Sequence, residues 1–116
     1  PVTLVATGFQ YAPEVRVRQA RVLANLLGTV RDIRRFGAAA IDLCLLAEGK
    51  VDLFYEIGLK PWDFMAGALI AQEAGAIVRG RGGSTRPSGE LLIAANSTLI
   101  DQLQPMIEGW VRAEDL

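Results

Sequence analysis

Two carboxylates frame the chemistry that this chain can offer. Asp63 stands in Lys60-Pro61-Trp62-Asp63-Phe64-Met65-Ala66-Gly67, at the start of an apolar helical run that closes on Glu73-Ala74-Gly75. Glu56 ends the strand-like run Val51-Asp52-Leu53-Phe54-Tyr55-Glu56 just upstream, so a strand end and a helix start can face one cleft. A carboxylate at such a helix start can hold a metal beside a phosphate. It is also favoured there by the helix dipole and the free backbone donors, and spacing alone favours this ordinary reading. The same holds for Glu56, since a carboxylate at a strand end is more often solvated than a ligand.

The chain has no histidine, so no Ser-His-Asp triad, Cys-His pair or His-ligated zinc can be built from it alone. Acid, base or metal work falls to carboxylates, and oxygen-only ligation favours a hard cation such as Mg2+.

The elements that must position these groups are legible as alternating strands and helices. Val2–Ala6 reads as a buried strand, followed by a loop through Pro13 and a helix over Glu14–Leu27 that stops at Gly28. Thr29–Phe36 alternates as a strand, and Gly37–Glu48 follows as a nearly all-apolar, buried helix. Strands over Val51–Glu56 and Ala76–Arg79 flank the helix Pro61–Ala74, with Pro61 suited to its first turn. Gly80–Ser84 reads as a turn and lacks the pattern of a nucleotide phosphate loop. Leu91–Ala95 is a last strand. An amphipathic helix capped by Asn96 or Ser97 ends the chain, and Pro105 inside it predicts a kink or break. The order gives an α/β layered fold, and with no repeat and no linker residues 1–116 read as a single domain.

The 116 residues, 51% hydrophobic and 22% charged, suit an ordinary globular core. A net charge of −1 gives little support to nucleic-acid binding through phosphate neutralisation. The single Cys44 cannot form an internal disulfide; it reads as a small buried thiol in a reducing compartment, which points to the cytoplasm. No run approaches the roughly 18 apolar residues of a membrane helix. The chain opens at Pro1 in an apolar strand, without Met, which suggests an upstream portion.

Taken together, Trp62-Asp63 with its small residues and Glu73-Ala74-Gly75 ending, Arg35-Phe36-Gly37-Ala38-Ala39-Ala40-Ile41-Asp42-Leu43-Cys44, Leu4–Phe9 and Ile93–Asn96 resemble the C-terminal half of the inositol monophosphatase family, bacterial branch. The resemblance implies the C-terminal portion of a layered α/β sandwich shared by the sugar phosphatases, a homodimeric whole enzyme, and Mg2+-dependent hydrolysis of a phosphate monoester such as inositol 1-phosphate. It implies that Asp63 is a catalytic metal ligand that may also touch substrate, and that Glu56 accepts a hydrogen bond from a polyol hydroxyl. Family members also place the backbone of Gly37, Ala38 and Ala39 against substrate, many with Thr or Ser where Ala38 stands, so one hydroxyl contact is lost here. Spacing alone favours close helix packing for that segment, although free N–H groups at a helix start do receive anionic or polar atoms. The family's other acidic ligands lie on an upstream half absent from this sequence, so the chain alone is expected to be inactive.

Asp42, among apolar neighbours, needs a partner or water, and a structural role is expected of it. Arg31, Arg34 and Arg35 can serve phosphate, RNA or a second subunit, with subunit contact preferred. The alternative functions are a noncatalytic dimerisation or protein/RNA-interaction module using that Arg-rich strand and the final helix, or a related phosphatase acting on fructose bisphosphate, histidinol phosphate or a sulfated nucleotide.

Overall fold

The computed structural model of the chain describes residues 3–84 and 90–116. Its strands are β1 (Leu4–Thr7), β2 (Asp32–Arg34), β3 (Leu53–Glu56), β4 (Ile77–Arg79) and β5 (Leu92–Ala95). Its α-helices are α1 (Pro13–Leu27), α2 (Ala39–Ala47), α3 (Pro61–Glu73) and α4 (Ser97–Ala113). The strands form one sheet in the order β2-β1-β3-β5-β4. β1 is parallel to both β2 and β3, while β5 runs antiparallel to β3 and β4.

Period-two alternation decides which helices cover which face. Val5, Leu53, Tyr55, Ile93 and Ala95 point to one side, where Val22 and Leu26 of α1 and Ile100, Leu103, Ile107 and Val111 of α4 close a core. Leu4, Ala6, Phe54, Leu92 and Ala94 point to the other, against Leu43 and Leu46 of α2 and Phe64, Ala68 and Ala71 of α3. The strands buried on both faces are the near-continuous apolar runs of the sequence. The expected α/β layering is therefore the observed one.

Several boundaries differ from the expectation, each for a local reason. The second strand is only Asp32–Arg34, because the N–H groups of Thr29 and Val30 both bond the Leu26 carbonyl and finish α1 instead of pairing in the sheet. The second helix starts only at Ala39, since Gly37 takes φ +92° and Ala38 is extended. Gly75, at φ +97°, ends α3 after the Ala74 cap. The turn after β4 contains one 3₁₀ turn, Arg81–Gly83. Val2 of the first expected strand lies outside the described residues.

The expected break at Pro105 is absent. α4 runs through it unbroken, because Pro105 lies on the exposed side, where the carbonyl deprived of its amide donor can meet water. Nor is α2 wholly buried: Ile41 is 52% exposed. Cys44 is half-buried rather than sequestered.

Candidate active site

The C-terminal ends of β1 and β3 and the N-terminal ends of α2 and α3 meet around a cleft of about 400 Å³. Gly37, Ala38, Ala39, Glu56 and Asp63 all line it. These are the positions singled out in the sequence, brought together from three separate segments.

Asp63 occupies the third position of α3. Its Oδ2 accepts the Lys60 N–H at 2.9 Å, and its own N–H donates to the Lys60 carbonyl at 2.8 Å. One carboxylate oxygen thus caps the helix and fixes the rotamer, while Asp63 as a whole remains only partly buried at the cleft wall. The capping role and a ligand role are compatible, because a carboxylate has a second oxygen.

Glu56 closes β3 and is half-buried. A Cβ on Gly8 would overlap the Glu56 Oε1, so glycine after β1 is what leaves room for this carboxylate. Burial pushes its pKa up to about 7; the nearby Asp42 and Asp63 charges push the same way, and Arg35 opposes them. Glu56 therefore becomes a full carboxylate acceptor only as pH rises past neutrality, unless a cation enters the cleft.

At the start of α2, Asp42 N–H is the first to find a helical carbonyl, that of Ala38, at 3.0 Å. The N–H groups of Ala39, Ala40 and Ile41 precede that ladder, as at any helix start, and the small side chains leave their approach open. Ala38 makes no side-chain cap, consistent with the missing hydroxyl at this position.

The basic trio divides. Arg34 pairs with Asp32 at 3.0 Å on the exposed edge strand β2, whereas Arg35 lines the cleft and lies over the Phe9 ring, 5.8 Å from its centroid. Sequence reasoning missed Phe9, Gln10, Tyr11 and Trp62 as cleft residues. They come from loop residues whose approach depends on the β1–β3 pairing, except Trp62, whose place beside Asp63 could have flagged it. Asp42 is buried behind this wall at 1% exposure, with neither carboxylate oxygen hydrogen-bonded among the described residues.

Among the described residues no group of three or more His, Cys, Asp or Glu side chains is arranged to hold a metal ion. The donor set present, Asp63 with Glu56 nearby, fits one wall of a hard-cation site. A Mg2+ ion binds through one or two carboxylates, completed by water and substrate phosphate.

The model of the inositol monophosphatase family matches residues 1–112. The chain belongs to the inositol monophosphatase family. It is 44% identical over 102 residues to an inositol-1-monophosphatase of Mycobacterium bovis, covering 88% of this chain and 35% of that protein. It is 47% identical over 77 residues to the Nus factor SuhB of Escherichia coli, covering 66% of this chain and 29% of that protein. The structure of Mycobacterium tuberculosis SuhB superposes with a TM-score of 0.82 and 41% identity, over 94% of this chain and 42% of that one. The chain thus spans about a third of the length of the curated relatives it matches. The fold is that of the family's inositol monophosphatases.

Proposed function

We propose that this chain supplies the polyol-binding wall and one metal ligand of a magnesium-dependent phosphate monoesterase, with inositol 1-phosphate the preferred substrate. The observation that carries this reading is the convergence of Asp63, Glu56 and the free N-terminus of α2 on one cleft. Family membership supports phosphatase chemistry, and the cleft supports the assignment of roles. Bound Mg2+ would supply charge neutralisation at the phosphate and at the leaving oxygen. Asp63 offers it the carboxylate oxygen that the Lys60 cap does not need. Glu56 accepts from a substrate hydroxyl and so orients the polyol. The N–H groups at the start of α2 face polar atoms of the substrate, with no hydroxyl from Ala38 to help.

The remaining ligands belong to an N-terminal half, and the outer side of α2 and α3 is the surface we assign to it. Ile41, Met65, Leu69 and Ile70 are 48–63% exposed there. Charged residues are lacking between Asp63 and Glu73. Residues 1–116 act on this reading as one folding unit of a larger cytoplasmic homodimer, Cys44 being kept reduced.

The test is hydrolysis of inositol 1-phosphate by this chain alone and joined to its N-terminal half. The chain alone should show none. The joined protein should show magnesium-dependent turnover, cut about 10³-fold by Asp63→Asn, since a metal-held phosphate is worth several kcal/mol. Glu56→Gln should act mainly on KM. A folded joined protein without turnover on this substrate, fructose bisphosphate or histidinol phosphate would sink the reading. The noncatalytic interaction module would then stand in its place: the Escherichia coli relative is a Nus factor, and Arg34 on the edge strand β2 and Arg31 just before it are exposed.

A further inference from the structure

The loop between β1 and α1 carries a residue with no part in the reading above. Gln10 lines the cleft and is held at three points. Its backbone N–H donates to Oε1 of the buried Gln19 at 2.9 Å, and its carbonyl accepts from Arg16 Nη1 at 3.0 Å. Its side-chain Nε2 donates to the Ile57 carbonyl at 3.2 Å, across 47 residues of sequence. Since that acceptor is a carbonyl, only the amide nitrogen can face it, so the carboxamide has one usable orientation.

The receiving segment is shaped to this contact. Gly58 takes φ +77°, a conformation that favours glycine, and a Cβ there would overlap the Gln10 Nε2. The anchor on the other side is equally local: the Arg16 guanidinium lies 5.5 Å from the centroid of the adjacent Phe9 ring, which Arg35 also approaches. Ile57 and Gly58 open the short loop that joins Glu56, at the end of β3, to Pro61, at the start of α3. Both cleft carboxylates therefore hang on the loop that Gln10 grips. Gly8, in the same β1–α1 loop, packs against the Glu56 carboxylate itself.

We propose that Gln10 is a positioning residue: its carboxamide, anchored through Gln19 and Arg16, bolts the β3–α3 loop at Ile57–Gly58 and sets the spacing of Glu56 and Asp63. It acts through these carboxylates and touches no reacting atom. The reach is specific, because alanine removes the donor and ionised glutamate, of equal length, sets an oxygen against the Ile57 carbonyl.

The bolt itself is testable on the 116-residue chain, independent of any activity; its effect on turnover rests on the phosphatase reading. Hydrogen exchange of the Lys60 amide, which Asp63 Oδ2 accepts, reports whether the far end of the loop stays in place. Gln10→Ala and Gln10→Glu should each speed exchange at Lys60 about 10-fold or more, while amides of β1 and β3 keep their protection. Unchanged Lys60 exchange in both variants, with the core intact, overturns the proposal. In the joined full-length protein, Gln10→Glu should lower kcat/KM about 10- to 100-fold, as a small misplacement of reacting groups does. The magnesium concentration for half-activation should rise with it, a change that simple loss of folded protein would not produce. Normal kcat/KM and magnesium dependence in Gln10→Glu would overturn the positioning role even if Lys60 exchange rose. Faster Lys60 exchange in the variants, with a joined full-length protein whose unsubstituted form hydrolyses nothing, would uphold the bolt and sink the phosphatase reading alone.

Discussion

The two helix layers bury their inner faces against the same sheet, and their outer faces differ. The α1/α4 layer is dressed for water: Glu14, Arg16, Arg18 and Arg21 of α1 and Asp101 and Arg112 of α4 are exposed, and Arg21 pairs with Glu114 across the layer at 2.9 Å. Its exposed apolar residues, Val17, Leu27 and Met106, stand apart among these charges. The α2/α3 layer carries Ile41, Met65, Leu69 and Ile70 outward; the only charged residue of α2, Asp42, is buried on its inner side. Contiguous exposed apolar surface of this kind marks a face meant to be covered. In a chain spanning 35–42% of its relatives, the difference teaches which layer is already suited to water and which is the one we assign to a covering half.

The largest effect should come from placing a charge on each outer face. On our assignment of the covering half, Leu69→Glu in the full-length protein buries an unpaired carboxylate and should cost about 3 kcal/mol or more. In the isolated 116-residue chain the same change should stay within about 0.5 kcal/mol, as should Met106→Glu on α4 in either context. Urea unfolding of the four proteins measures this. A full-length protein indifferent to Leu69→Glu would mean that the α2/α3 surface is not an interface.

Next in size is a change between the helices of the uncovered layer. Gly67 lets α3 approach α2 so closely that an added Cβ would lie 2.9 Å from the Leu43 Cβ. That atom is next to the backbone and cannot swing away. Overpacking should outweigh the helix propensity that alanine gains, leaving Gly67→Ala destabilised by about 1–2 kcal/mol. The matching change on α4, Gly109→Ala, meets open space and should be neutral or slightly stabilising in the same unfolding measurement.

How much of this was legible follows from which interactions are local. The strands β1, β3 and β5 and the start of α3 were readable because apolar runs, Pro61 and the flanking glycines act within a few residues. The cleft positions Gly37, Ala38, Ala39, Glu56 and Asp63 were readable through the motif that holds them, and the fold brings them to one place. Pro105 misled, because a local rule about helix breaking took no account of which side of α4 the residue faces. The Gln10–Ile57 bond and the exposure of α2 were not readable: the first needs the register Thr7↔Tyr55, and the second depends on how α2 packs against α3 and the sheet.

The smallest effects concern the carboxylate that each layer buries. Glu108 of α4 is 7% exposed and accepts from the Gly82 N–H, Gln104 Nε2 at 3.4 Å and Arg112 Nη2 at 3.3 Å. Asp42 of α2 is 1% exposed and has no hydrogen-bond partner among the described residues. Glu108→Gln should therefore cost about 0.5–1 kcal/mol, since the amide oxygen can still accept from Gly82 and Arg112 and only the Gln104 contact loses its acceptor. Asp42→Asn should do the opposite. Burial raises the Asp42 pKa to about 6 against the opposing charge of Arg35. The folded chain then holds a proton that the unfolded chain releases near pH 4, so stability falls as pH rises from about 4 to about 6. Removing the charge should add about 1 kcal/mol at pH 7, because the amide in its place is still buried without a partner, and should flatten that fall, with little change below pH 4. Unfolding followed across this range in both proteins decides the matter: an Asp42→Asn protein less stable than the wild type at pH 7 would mean that the carboxylate has a partner in solution, and that the α2/α3 layer is finished on its inner side as completely as the α1/α4 layer.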